Sequence, residues 1–142
     1  DASQTERFTR TFPRGSGEHI LFVDDEPSLL DIGKRMLERL GYQVTTAPSG
    51  VAAIEFIRSQ SKTFDCIITD FTMPDMSGIA LARESRALIP AMPIILMSGY
   101  CGVLTADSLR AQGIQELILK PFTPQALAEA LRRVLAGIPQ AH

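Results

Sequence analysis

Four apolar runs in this chain each end on a polar group fit for chemistry. His19-Ile-Leu-Phe-Val23 leads into Asp24-Asp25, and Asp65-Cys-Ile-Ile-Thr69 leads into Asp70. Pro93-Ile-Ile-Leu-Met97 leads into Ser98, and Glu116-Leu-Ile-Leu119 leads into Lys120-Pro121. Three carboxylates, a hydroxyl and an ammonium suit a divalent cation and a phosphoryl group. Clustered carboxylates repel one another, which raises the pKa of at least one and blunts it as a nucleophile. A divalent cation removes that penalty, and Mg²⁺ favours a few carboxylates together with water and phosphate oxygens. Phosphoryl transfer depends mainly on positioning and charge neutralisation, and a carboxylate can serve as the covalent nucleophile. Each residue also has a plainer reading. Asp24-Asp25 would suit a helix N-terminus, and Asp70 a turn before Met73-Pro74. The case for a site is that every group sits at the same end of a different run.

Short apolar runs separated by helical patterns read as buried parallel strands. In an open α/β sheet, ligands bind at the carboxyl ends of the strands. The first strand covers 19–23. Pro27 suits the first turn of a helix. Leu29, Leu30, Gly33, Met36, Leu37 and Leu40 follow helical spacing, and Gly41 ends the helix. The second strand, Tyr42 to Thr46, is more polar and reads as an edge. A second helix starts near Ser49 and carries Ala53, Ile54 and Ile57. The third strand is 65–69, and a third helix runs from near Ser77 to before Pro90. The fourth strand is 93–97, followed by a short helix over 105–112 that Gly113 stops. The fifth strand is 115–119. Thr123-Pro124 then caps and opens a fifth helix, with Leu127, Ala128, Leu131, Val134 and Leu135 as its buried stripe. Strands alternating with helices in this way imply βαβ units and a doubly wound parallel sheet. Periodicity does not reveal the strand order. Residues 1–17, polar and containing Gly15-Ser-Gly17, read as a linker or tail. Residues 18–137 read as the folded domain and 138–142 as a C-terminal tail.

With 142 residues and 45% apolar content, the chain can build one domain with a real core. Its net charge of −2 offers no electrostatic case for direct contact with nucleic acid or with an anionic membrane. The apolar runs fall far short of the roughly 20 residues of a membrane helix, and no signal peptide is visible. Cys66 and Cys101 form no metal-ligand or redox spacing; Cys66 reads as a small core residue. A cytoplasmic setting is expected. His19 and His142 are isolated and receive no role. The chain starts with Asp1 rather than Met, so a piece of a longer protein or a processed chain is expected.

Taken together, Val23-Asp24-Asp25-Glu26, Asp70-Phe-Thr-Met-Pro74 with Gly78, Met97-Ser98-Gly99 and Lys120-Pro121 resemble the receiver domain of bacterial two-component response regulators. The resemblance extends over about residues 18–136. It implies a flavodoxin-like (βα)5 fold with strand order 2-1-3-4-5, which sets strands one and three side by side at the switch point. It also implies roles. Asp70 would be the phosphoacceptor for a phosphohistidine on a histidine kinase or histidine phosphotransfer domain. Asp25, Asp70 and the backbone carbonyl of Thr72 would bind Mg²⁺, with Asp24 acting through water. Ser98 and Lys120 would each hold a phosphoryl oxygen, and the bond between Lys120 and Pro121 would be cis. The domain would catalyse its own phosphorylation and dephosphorylation, and Tyr100 would set the access of water. Leu117 departs from the family, which usually has Tyr or Phe three residues before the lysine. The aromatic swing coupled to the serine should then be missing.

Two other readings compete. Haloacid-dehalogenase-like phosphatases also use an aspartate nucleophile with Mg²⁺. They place a second Asp two residues on, where this chain has Thr72. A flavodoxin-like cofactor protein would want a hydroxyl- and glycine-rich loop where this chain has Asp24-Asp25-Glu26. Thr11-Phe-Pro13 with the following Arg-Gly-Ser-Gly-Glu resembles the end of a kinase ATP-binding domain running into a linker, and Leu96-Met-Ser-Gly-Tyr100 resembles the receivers of hybrid sensor histidine kinases. With no output domain after the fifth helix, that parent is expected ahead of a trimmed or stand-alone response regulator.

Overall fold

Five strands pair in parallel in the order β2-β1-β3-β4-β5. They are β1 (His19–Val23), β2 (Gln43–Ala47), β3 (Cys66–Asp70), β4 (Ile94–Ser98) and β5 (Glu116–Leu119). The helices between them are α1 (Pro27–Arg39), α2 (Gly50–Gln60), α3 (Gly78–Leu88), α4 (Ala106–Ala111) and α5 (Pro124–Ala136). This is the flavodoxin-like, doubly wound arrangement that the family resemblance implies. The computed structural model describes residues 14–60, 64–99 and 106–136. Tyr100, Cys101, His142 and most of the expected linker and tail lie outside the described residues.

Alternating side chains of each strand serve two cores. Ile20, Phe22, Ile68, Ile95, Met97 and Ile118 pack with Leu37 of α1 and Leu127 and Leu131 of α5. Leu21, Val23, Ile67, Ile94 and Leu96 pack on the opposite face with Ile57 of α2 and Leu81 of α3. β3 and β4 are buried throughout, so they read as unbroken apolar runs. β2 is half-buried over most of its length and forms an edge, as its polar composition suggests. His19 has a structural setting, its Nε2 lying 2.7 Å from Thr45 Oγ1 and its ring against Phe64.

β2, β3 and β4 each sit one residue later than periodicity places them, at 43–47, 66–70 and 94–98. The reason is visible in the ladder. The Phe71 N–H donates to Met97 O at 2.8 Å, and the Lys120 N–H to Ser98 O at 2.8 Å. Pairing therefore continues through Asp70 and Ser98, which are strand residues held by a buried sheet. Helix starts follow their capping residues. Ser77 Oγ accepts from the Ala80 N–H at 3.0 Å, and Thr123 Oγ1 from the Ala126 N–H at 3.1 Å. Such a cap contributes about 1 kcal/mol.

Within the expected linker, residues 14–17 lie against the turn between α1 and β2. The Gly15 N–H donates to Leu40 O at 2.7 Å and the Gly17 N–H to Gly41 O at 2.8 Å. Gly41 has φ +98°, a conformation glycine adopts at little cost. A Cβ there would also press on the Gly15 carbonyl. Among the described residues, no helix is long and apolar enough to cross a membrane.

Candidate functional site

The strand parity that builds the two cores also gathers the polar groups. Asp24, Asp70 and Lys120 each fall two residues beyond a core residue of the α1–α5 face, namely Phe22, Ile68 and Ile118. All three therefore emerge on the same side at the carboxyl ends of the strands. Lys120 Nζ lies 3.0 Å from Asp24 Oδ2 and 3.0 Å from Asp70 Oδ1. Carboxylate oxygens of Asp24, Asp25 and Asp70 all lie within 4.8 Å of one another. Asp24 is fully buried, Asp70 is nearly so, and Asp25 is the member that faces solvent. Asp24 Oδ1 also accepts from the Glu26 N–H at 3.0 Å, which anchors the turn into α1.

The loop after β3 is drawn tight beneath Asp70. The Gly78 N–H donates to Phe71 O at 2.8 Å, and any Cβ on Gly78 would collide with the Asp70 carbonyl. Thr72 is exposed on this loop, with Met73 buried beside it. Ser98 is buried at the end of β4, opposite Leu119. The peptide bond between Lys120 and Pro121 is cis. Leu117 is half-buried opposite Leu96 and packs with the core that includes Leu109 of α4.

Three carboxylates against one ammonium leave the cluster net negative. Burial raises the Asp70 carboxyl above its ordinary value, and the charges of Asp24 and Asp25 add to this. Lys120 pulls it down without reversing the shift. Burial alone would lower the Lys120 ammonium, but hydrogen bonds and charge from Asp70 and Asp24 raise it. The carboxylate charges push both groups the same way, toward an additional positive charge in the site. Three oxygen donors within reach of one small ion fit Mg²⁺, which takes oxygen ligands and keeps part of its water.

A stability prediction follows, with its sign. The Asp70 carboxyl titrates above its unfolded value, so the folded state loses stability as pH rises from about 3.9 through the folded pKa. Asp70→Asn removes that cost. Without divalent cations at neutral pH, the variant should melt about 2–4 °C above wild type. The gain should vanish as pH falls toward 4. Differential scanning calorimetry across pH checks this, and a variant less stable than wild type at neutral pH would contradict it.

Two features of the site escaped the sequence reading. Beside Lys120, an apolar cleft of about 470 Å³ is lined by Leu29, Ile32, Pro121 and Phe122. Ile32 was the available signal, since it falls outside the buried stripe of α1 and is 44% exposed. The other is Asp75, whose carboxylate accepts from the N–H groups of Gly50 and Val51. No local pattern links positions 75 and 50.

The fold is flavodoxin-like, and its carboxylates and lysine meet at the switch point between β1 and β3. The chain belongs to the response regulator receiver domain family, which it matches over residues 20–132. It is 38% identical over 117 residues to transcriptional regulatory protein ZraR of Escherichia coli (strain K12), covering 82% of this chain and 26% of that protein. It is 32% identical over 125 residues to transcription factor SKN7 of Chaetomium thermophilum, covering 88% of this chain and 16% of that one. The chain thus spans about a quarter or less of the length of these relatives. Among solved structures, a receiver domain protein of Clostridium thermocellum is similar with TM-score 0.79 and 31% identity, covering 84% of this chain and 94% of that one. Response regulator TrrA of Thermotoga maritima, solved in complex with Mg(2+)-BeF, gives TM-score 0.73 and 31% identity, covering 83% and 99%.

Proposed function

We propose that the domain accepts a phosphoryl group on Asp70 from a phosphohistidine, with Mg²⁺ held by Asp25, Asp70 and the Thr72 carbonyl, and by Asp24 through water. The observation that carries this reading is the Lys120 ammonium lying between Asp24 and Asp70 at the edge of a three-carboxylate cluster. A carboxylate oxygen of Asp70 attacks phosphorus. The phosphorus–nitrogen bond breaks and its electron pair returns to the imidazole, leaving an acyl phosphate on Asp70. Lys120 exchanges a carboxylate partner for a phosphoryl oxygen and keeps its charge. The Ser98 hydroxyl donates to a second phosphoryl oxygen. In the separate dephosphorylation step, water attacks phosphorus, the bond to Asp70 breaks with its electron pair returning to the carboxylate, and inorganic phosphate leaves. Bound Mg²⁺ supplies neutralisation of the carboxylates and of the phosphoryl oxygens.

The phosphodonor is a histidine kinase or a histidine phosphotransfer domain. The apolar cleft of Leu29, Ile32, Pro121 and Phe122 opens directly beside Lys120. It offers a non-polar seat for the helix that presents the phosphohistidine. Incubation with a radiolabelled phosphohistidine donor should label this chain in Mg²⁺ and not in a chelator. No transfer from any such donor in Mg²⁺ would overturn the reading.

Leu117 implies a muted output. With no ring to rotate behind Ser98, the face formed by α4, β5 and α5 should change little on phosphorylation. Amide shifts with and without beryllofluoride should differ mainly around residues 70–76 and 98–105. Large shifts across β5 and α5, or mimic-induced dimerisation, would refute this.

For the parent chain, Thr11-Phe-Pro13 and Leu96-Met-Ser-Gly-Tyr100 favour the C-terminal receiver of a cytoplasmic portion of a hybrid sensor kinase. The transcriptional regulators among its relatives favour the receiver of a response regulator instead. The parent reading frame decides between them.

A further inference from the structure

The loop that carries Thr72 is tied to a helix with no part in the acidic cluster. Asp75 Oδ2 accepts from the Val51 N–H at 2.8 Å, and Oδ1 from the Gly50 N–H at 3.3 Å. Oδ1 also accepts from the Met76 N–H at 3.0 Å. The first two donors are N–H groups of the first turn of α2, which have no partner within the helix. Met76 makes a second tie. Its side chain fills the space that a Cβ on Gly50 would need. Burial alone would raise the Asp75 carboxyl. The N–H groups of Val51, Gly50, Asp75 itself and Met76 outweigh that and hold it below its ordinary value, so it is ionised at neutral pH. The loop is thus fixed at three points: Gly78 on Phe71, Met73 in the core, and Asp75 with Met76 on α2.

The geometry points to Asp75 as a positioning residue that holds the Thr72 segment in its cation-ready conformation by clasping the start of α2. The inference rests on the proposed Mg²⁺ site. Thr72 lies between Phe71, held by the Gly78 N–H, and the Asp75 clasp, so its backbone is restrained on both sides before a cation arrives. A loop released from α2 must be ordered at the moment of binding, and that ordering weakens the affinity. Linkage makes the effect reciprocal. If the clasp favours the cation, the cation favours the clasp, and filling the acidic cluster firms the first turn of α2.

The test is a titration of the full chain with Mg²⁺ alone, followed by backbone amide NMR, in wild type, Asp75→Ala and Asp75→Asn. In wild type, the Gly50 and Val51 amides should shift in step with those of Asp24 and Asp25. In Asp75→Ala that response at Gly50 and Val51 should disappear. The Mg²⁺ dissociation constant should rise about three- to tenfold, below or at the low end of what loss of a direct outer-shell partner causes. Asp75→Asn keeps an acceptor oxygen for the Val51 N–H and should restore most of the affinity. An Asp75→Ala variant that loses thermal stability but binds Mg²⁺ like wild type overturns the inference, because Asp75 then only caps α2. A wild type whose Asp24, Asp25 and Asp70 amides ignore Mg²⁺ overturns the metal site itself, and the inference with it.

Discussion

Replacing Asp70 with asparagine will leave the protein unable to carry a phosphoryl group. Asparagine matches aspartate in shape, so the loop that closes beneath it through Gly78 and Phe71 should persist. What disappears is the anionic oxygen proposed to form the bond to phosphorus. Asp24 cannot replace it, being fully buried and held by Lys120 and the Glu26 N–H. Asp25 is solvent-facing but lacks the 3.0 Å ion pair that Lys120 makes with Asp70. With a small phosphodonor and Mg²⁺, wild type should gain one phosphoryl group by intact mass. The variant should gain none, a rate loss of at least about 10³-fold. Substantial labelling of Asp70→Asn would move the phosphoacceptor elsewhere.

Asp25→Ala should abolish Mg²⁺-dependent phosphorylation and make the cation-free protein more stable. Both effects follow from Asp25 being one of three crowded carboxylates, and the one open to solvent. A cation arriving from solvent meets it first, and its loss leaves only the two carboxylates already paired with Lys120. Partly hydrated Mg²⁺ on so few carboxylates binds with a dissociation constant on the order of a millimolar even in wild type. At ten times that concentration, the wild-type fold should gain about 1.4 kcal/mol by mass action. The variant should gain none of this, yet without Mg²⁺ it should melt about 2–4 °C higher, because a repelling charge is gone. Thermal melts with and without Mg²⁺ separate the two effects. Unchanged phosphorylation would remove Asp25 from the cation site.

The acidic cluster was legible because each member ends a buried strand. An apolar run that stops on Asp70, Ser98 or Lys120 announces both the strand and the group it delivers. Helix starts were legible for a similar reason, since Ser77 and Thr123 carry the cap in their own side chains. Strand order was different. Nothing in β1 or β3 specifies which strand lies beside it, so neighbourhood came from the resemblance alone. The one-residue offset of β3 and β4 depends on N–H groups of Phe71 and Lys120 that bond to a neighbouring strand, which periodicity cannot register. Asp75 was illegible because its partners are backbone groups 24 and 25 residues away. In the sequence it is an ordinary turn residue after Met73-Pro74. Ile32 was legible in principle, since an apolar residue on the wrong side of an amphipathic helix calls for a reason.

Residues 14–17 are fastened to the turn between α1 and β2, at the amino ends of the strands. The acidic cluster lies at the carboxyl ends, and a five-residue strand separates the two poles by about 16 Å. Residues 14–17 are therefore moored at one pole while the proposed phosphoryl chemistry belongs to the other. A partner approaching Asp70 need not displace the mooring. Loosening the Gly15 and Gly17 contacts would free that segment and leave Asp24, Asp70 and Lys120 where they are.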